Sequence, residues 1–208
     1  MSAGRPALDR VQIVDAAVAL IDRDGLDAFS MRKLGAELGV DPMSVYYHVP
    51  NKAALFDALV DWVWTRVDPQ PPAPDASWRA IAAGIFVALR AELLAHPRLV
   101  PILGSRPVVS PHMLDLTDRT LGWMDAAGLP PASGMQLLDC LMAFTVGKVL
   151  AEVRGGGDDS DDPGAVFSTL SPQTHPWLMG ALMGGYGLQP DEEFTRGLDA
   201  LLAGWPDA

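Results

Sequence analysis

Apolar residues recur along this chain three and four positions apart and almost nowhere in strict alternation. A helix returns to the same face every 3.6 residues and a strand every two, so the pattern predicts an all-α protein of about nine or ten helices. Val11, Ile13, Val14, Ala17, Val18 and Ile21 form the first stripe, over residues 9–24, with Gly25 as its stop. Short helices are predicted near 31–38 and 42–48. Val49-Pro50 interrupts the chain, because a residue before proline resists the helical region. A fourth helix runs from Lys52 to Arg66, with Leu55, Ala58, Leu59, Trp62 and Val63 on one side.

The segment Asp68–Asp75 holds four prolines in eight residues and cannot continue that helix. The domain boundary is placed there, giving an N-terminal head, 1–67, and a larger helical body, 68–208. In the body, Trp78, Ile81, Ala82, Ile85, Phe86, Leu89 and Leu93 trace a broad stripe that His96-Pro97 ends. Further helices are predicted near 98–103, over 111–126 and 132–153, and near 176–185 and 191–203. Residues 155–172, rich in Gly, Asp, Ser and Pro, read as a loop.

Residues 30–52 carry the most specific local chemistry. Ser30, Asp41 and Asn51 are good N-caps, Pro42 stands at a first helical position, and Gly39 suits a helix C-terminus. A connection this short between two helices gives a helix-turn-helix corner. The second helix then presents Met43, Ser44, Tyr46, Tyr47 and His48, groups able to reach base edges and phosphates. Tyr46 could instead be a core aromatic, and Arg32 and Lys33 a solvated helix face.

Charge qualifies this picture. The net charge of −11 argues against nucleic acid until its distribution is considered. Residues 1–67 carry a net of −2 and the remainder −9, so the acidity belongs to the body. No run of about 18 apolar residues suggests a membrane span. The first residues lack the apolar core of a secretory signal, so a cytoplasmic protein is expected. The single Cys140 excludes an intramolecular disulfide. Zinc-type His/Cys spacing, a phosphate loop and a nucleophile–base pair are all missing, so neither a cofactor nor a catalytic activity is expected. Asp158, Asp159, Asp161 and Asp162 lack the glutamate and spacing of a calcium loop.

Arg32-Lys33-Leu34, Leu38-Gly39-Val40, Val45-Tyr46-Tyr47-His48 and Asn51-Lys52, preceded by Ile13, Ala16, Ala17, Leu20 and Gly25, resemble the TetR family of bacterial transcriptional repressors. The body more faintly resembles the tetracycline repressor group, through Trp78, Leu103-Gly-Ser-Arg-Pro107 and Phe144-Thr-Val-Gly147. The resemblance implies a homodimer, paired through its C-terminal helices, that binds palindromic double-stranded operator DNA and is released by a small-molecule effector. It places Pro42, Met43 and Ser44 where bases are read, and Tyr46, Tyr47 and His48 where phosphate and bases are met. Arg32 and Lys52 fall at DNA-contacting positions, Lys52 at a helix start that suits a phosphate. Small residues Gly134, Ala143 and Gly147 would let dimer helices approach closely.

An effector pocket is expected between the helices at 77–95, 111–126 and 132–153. Its candidate walls are Trp64, Phe86, Leu89, Leu103, Met113, Trp123, Leu138, Met142 and Phe144, with Thr117, Thr120, Thr145 and Asp139 to orient a ligand. Each of these apolar residues reads more readily as ordinary core. Along the faint match, the metal-ligating histidine of tetracycline repressors falls at Ile102, the glutamate near the metal at Ala151 and a ligand-binding asparagine at Ile85. The resemblance therefore implies a metal-free, largely apolar or aromatic ligand. A regulator without a small-molecule effector, and an all-α enzyme or carrier, are the alternatives.

Overall fold

The computed structural model describes residues 8–105, 110–154, 170–186 and 189–207, and among them there are ten α-helices, a 3-10 turn and no strand. The head contains α1 (Arg10–Asp24), α2 (Met31–Leu38) and α3 (Pro42–His48), and α4 (Lys52–Val67) leads out of it. The body follows with α5 (Trp78–Ala95), the 3-10 turn Pro97–Leu99, α6 (Val100–Ser105), α7 (Pro111–Ala126), α8 (Pro131–Arg154), α9 (Pro176–Met183) and α10 (Pro190–Gly204).

Local chemistry sets the starts of these helices. The Ser30 hydroxyl accepts from Lys33 N at 3.2 Å, Asp41 from Met43 N at 2.8 Å, Asn51 from Ala54 N at 2.8 Å and Ser77 from Ala80 N at 3.2 Å. Each satisfies an amide that the first turn leaves without a partner. Asp9 and Gln12 form a reciprocal capping box on α1. Ser110 caps α7 and also donates to Asp61 on α4 at 2.6 Å.

Ile13, Ala17, Ile21, Leu34, Val45 and Leu55 are fully buried and make the core of the head. In α4, Leu59 and Val63 carry that core toward α5, so one helix serves both parts. The end of α1 is fastened to the body by polar contacts. His96 Nδ1 lies 2.6 Å from Asp22 Oδ2, and Arg98 Nη1 donates to the carbonyls of Asp22 and Arg23 at 3.0 and 2.8 Å. Those carbonyls lie in the last turn of α1, where no intrahelical donor remains. The Trp62 ring meets the His96 ring edge-on, and its Nε1 donates to Asp15 at 2.7 Å.

Within the body, Arg90 joins α5 to Glu152 of α8 at 2.9 Å and to Asp191 of α10 at 2.8 Å. A Cβ on Gly197 would lie 2.5 Å from Phe144, so α10 needs glycine there for the Phe144–Phe194 stack. Gly134 is buried inside the subunit, where a Cβ would come 3.0 Å from Leu121 of α7, so it does not serve a dimer face. The surroundings of Gly147 are open, and Ala143 is exposed. Cys140 is an exposed free thiol on α8. By length and composition α8 could cross a membrane, but it packs against α5, α6, α7 and α10 as the central helix of the body. Most of the expected acidic loop, including Asp158, Asp159, Asp161 and Asp162, lies outside the described residues.

Candidate DNA interface and effector cavity

The corner between α2 and α3 depends on two glycines. Gly39 closes α2 at φ 63°, in the left-handed region that a side chain resists. Gly35 lets the two helices touch, since a Cβ there would stand 3.2 Å from the Pro42 backbone. The result is a short α3 that buries only Val45. Its remaining surface faces solvent: Met43 is 71% exposed, Tyr47 87% and Tyr46 38%, with Ser44 also exposed. Pro42 and His48 are half-buried, and Arg32 is exposed in the first turn of α2. A free helix of this width fits the major groove.

Lys52 opens α4, and its ammonium lies 5.5 Å from the Phe29 ring centre and 5.1 Å from that of Phe56. The two ring faces hold the cation near the amides of the helix start. Arg32 and Lys52 make no ion pair among the described residues. Elsewhere in the head, Arg23 donates to both Glu37 oxygens at 3.1 and 3.0 Å and to Asp24 at 2.9 Å. These hydrogen bonds hold the Glu37 and Asp24 carboxyls below their ordinary range and raise the Arg23 guanidinium. The Phe29–Phe56 cradle and Gly35 were not among the sequence-read features. A glycine inside a helix costs about 1 kcal/mol relative to alanine, which is the signal that marks Gly35 as a close approach.

In the body a cavity of about 400 Å³ opens between α4, α5, α6, α7 and α8. Trp64, Phe86, Leu103, Met113, Thr117, Thr120, Leu138 and Met142 line it, as does Asp139. Four expected wall residues do not. Leu89 and Thr145 are fully buried away from it, and the Thr145 hydroxyl has no partner. Phe144 turns toward Phe194 of α10. Trp123 lines a neighbouring groove beneath the proline linker, and Pro69 and Ile85 stand between the two spaces. Sequence reading did not name Val60, Pro69, Ile85, Leu114, Leu116 and Met135 as walls. Their periodicity is that of any core residue.

The cavity does not fit magnesium. Ile102 is buried and apolar, Ile85 is an apolar wall and Ala151 is exposed. Among the described residues no three His, Cys, Asp or Glu side chains gather as ligands.

A capped two-helix corner with a free reading face, set on a helical body that encloses an apolar cavity, defines a helix-turn-helix transcription regulator. Residues 13–59 match the bacterial regulatory proteins of the tetR family, and residues 70–206 match the tetracyclin repressor-like C-terminal domain. The chain belongs to the TetR family, whose members are dimeric DNA-binding regulators. It is 30% identical over 200 residues to the class D tetracycline repressor of Escherichia coli, covering 95% of this chain and 89% of that protein. It is 31% identical over 203 residues to an HTH-type transcriptional regulator of Saccharopolyspora erythraea, covering 96% and 85%. Among solved structures, apo ActR from Streptomyces coelicolor superposes with a TM-score of 0.81 at 29% identity, over 97% of this chain and 96% of that one. The same protein in complex with actinorhodin superposes at 0.79, with 29% identity over 95% and 96%.

Proposed function

We propose that this protein is a cytoplasmic homodimeric repressor that binds a palindromic operator through two heads and releases it when a compact, largely apolar ligand fills the body. The division of labour falls at residue 68, with DNA reading before it and ligand binding and pairing after it. The observation that carries the DNA-binding reading is the reading face of α3, anchored by Val45 alone. Met43 and Ser44 read bases there, Tyr46, Tyr47 and His48 meet bases and phosphates, and Arg32 and Lys52 bind phosphate. No catalytic step is assigned to any residue.

Pairing is supported by what a single chain leaves uncovered. Trp177, Met183 and Tyr186, on and just after α9, are 90%, 82% and 71% exposed. The long helix α8 also leaves a stripe exposed, through Gln136, Cys140, Ala143 and Gly147. Large apolar side chains left in water suit burial against a second copy. Two heads held by a two-fold axis require two half-sites at matching separation.

The ligand reading is supported by the cavity, whose walls are apolar apart from two threonines and one aspartate. A structural relative, ActR, is known in complex with actinorhodin, and this cavity is read by likeness as a small-molecule site. Selection of bound sites from random duplex DNA, at a stated near-physiological salt, tests the proposal. A palindromic consensus is expected. Salt-sensitive binding without a consensus would overturn sequence-specific repression.

A further inference from the structure

Among the described residues, the walls of the cavity carry one ionisable group, the carboxylate of Asp139, and no basic one. Asp139 stands on the exposed side of α8, at the mouth, and makes no ion pair or hydrogen bond among the described residues. The same cavity is lined by Trp64 and Phe86, which are 5% and 2% exposed. Thr117 and Thr120 add neutral polar groups. The body around this space has a net charge of −9 over residues 68–208.

Each of these features acts on a ligand's charge in the same direction. A charge brought out of water into an apolar space is costly unless a counter-charge meets it. Asp139 offers that counter-charge to a cation, and aromatic faces attract a cation further. An anion would meet the Asp139 carboxylate at the mouth and an acidic body beyond it, with no basic partner among the described walls. From this geometry we infer that the effector is an aromatic cation, a flat ring system carrying one protonated amine or iminium group that rests against Asp139. The inference rests on reading the cavity as the effector site and adds the sign of the ligand's charge.

The test uses three ring systems of one shape and different charge: 9-aminoacridine as the cation, 9-anthracenemethanol as the neutral compound and 9-anthracenecarboxylate as the anion. Binding to the full-length protein is read by equilibrium dialysis in the absence of DNA. The cation is expected to bind about tenfold more tightly than the anion. Asp139→Asn, a change of charge at constant shape, should erase most of that ratio while leaving the neutral compound unchanged. Asp139→Glu should keep it. Met142→Trp, which fills the cavity, should weaken all three probes.

If the probes bind without regard to charge, or Asp139→Asn leaves the ratio intact, the cation inference is wrong while the cavity reading stands. If Met142→Trp has no effect, or no probe binds, the cavity reading fails and the inference falls with it.

Discussion

In the head, α3 buries one side chain and turns the rest outward, whereas in the body α5 buries seven, from Trp78 to Leu93. The two regions put burial to opposite uses. On the proposed function, the head keeps its DNA-contacting residues out of the core, in side chains that the fold can spare. The body, on the same proposal, works through a gap in its core, lined by residues that also hold the fold together. A substitution should therefore separate stability from activity cleanly in the head and much less cleanly around the cavity.

The comparison is broken most severely at the core of the head. Leu34 is fully buried between α2 and its neighbours. Leu34→Ala should cost about 2–5 kcal/mol in denaturant unfolding. Leu138→Ala, at a half-buried cavity wall, should cost roughly 1 kcal/mol, because part of its surface already faces an empty space. Equal losses at the two sites would mean that the cavity wall is packed as tightly as the head.

A sharper form of the comparison lies on the reading face, where stability should not change. Met43 or Ser44 replaced by alanine should alter preference at particular operator positions by about 1–3 kcal/mol, with the unfolding midpoint unmoved. Lys52→Ala should instead weaken binding to all sequences alike and lower the salt slope by about one. Competition binding across operator variants at several salt concentrations separates the two outcomes.

The difference also explains how much could be read from the chain alone. Ser30, Asp41 and Asn51 cap their helices as expected, because a cap is settled by residues two or three positions apart. The α2–α3 corner was legible for the same reason. The cavity was legible only in part. Phe86 and Leu89 share one apolar stripe, yet one faces the cavity and the other is enclosed. Which of them meets empty space depends on the separation of α5 from α7 and α8, and periodicity along one helix carries no information about that. Phe144 was misplaced because Gly197, 53 positions away in the sequence numbering, opens the space that its ring enters.

The smallest expected effect concerns acid. Glu37 and Asp24 are ionised more readily in the folded head than in an unfolded chain, because Arg23 donates to both. Groups with lowered values stabilise the fold above the ordinary carboxylate range, and that contribution is lost as pH falls through their folded values. Arg23→Ala should thus lower the unfolding midpoint slightly at pH 7, and the gap should narrow by about pH 3. A gap that persists in acid would assign the effect to packing of the arginine stem.

The single anchor of α3 has a consequence for how such a protein can change over time. Because Val45 alone ties the helix to the core, most other positions of α3 can vary with little effect on folding. Operator preference can drift, or be redesigned, one residue at a time while the dimer and its ligand cavity stay as they are. A new DNA address can thus be attached to an old chemical sensor without passing through an unfolded intermediate sequence.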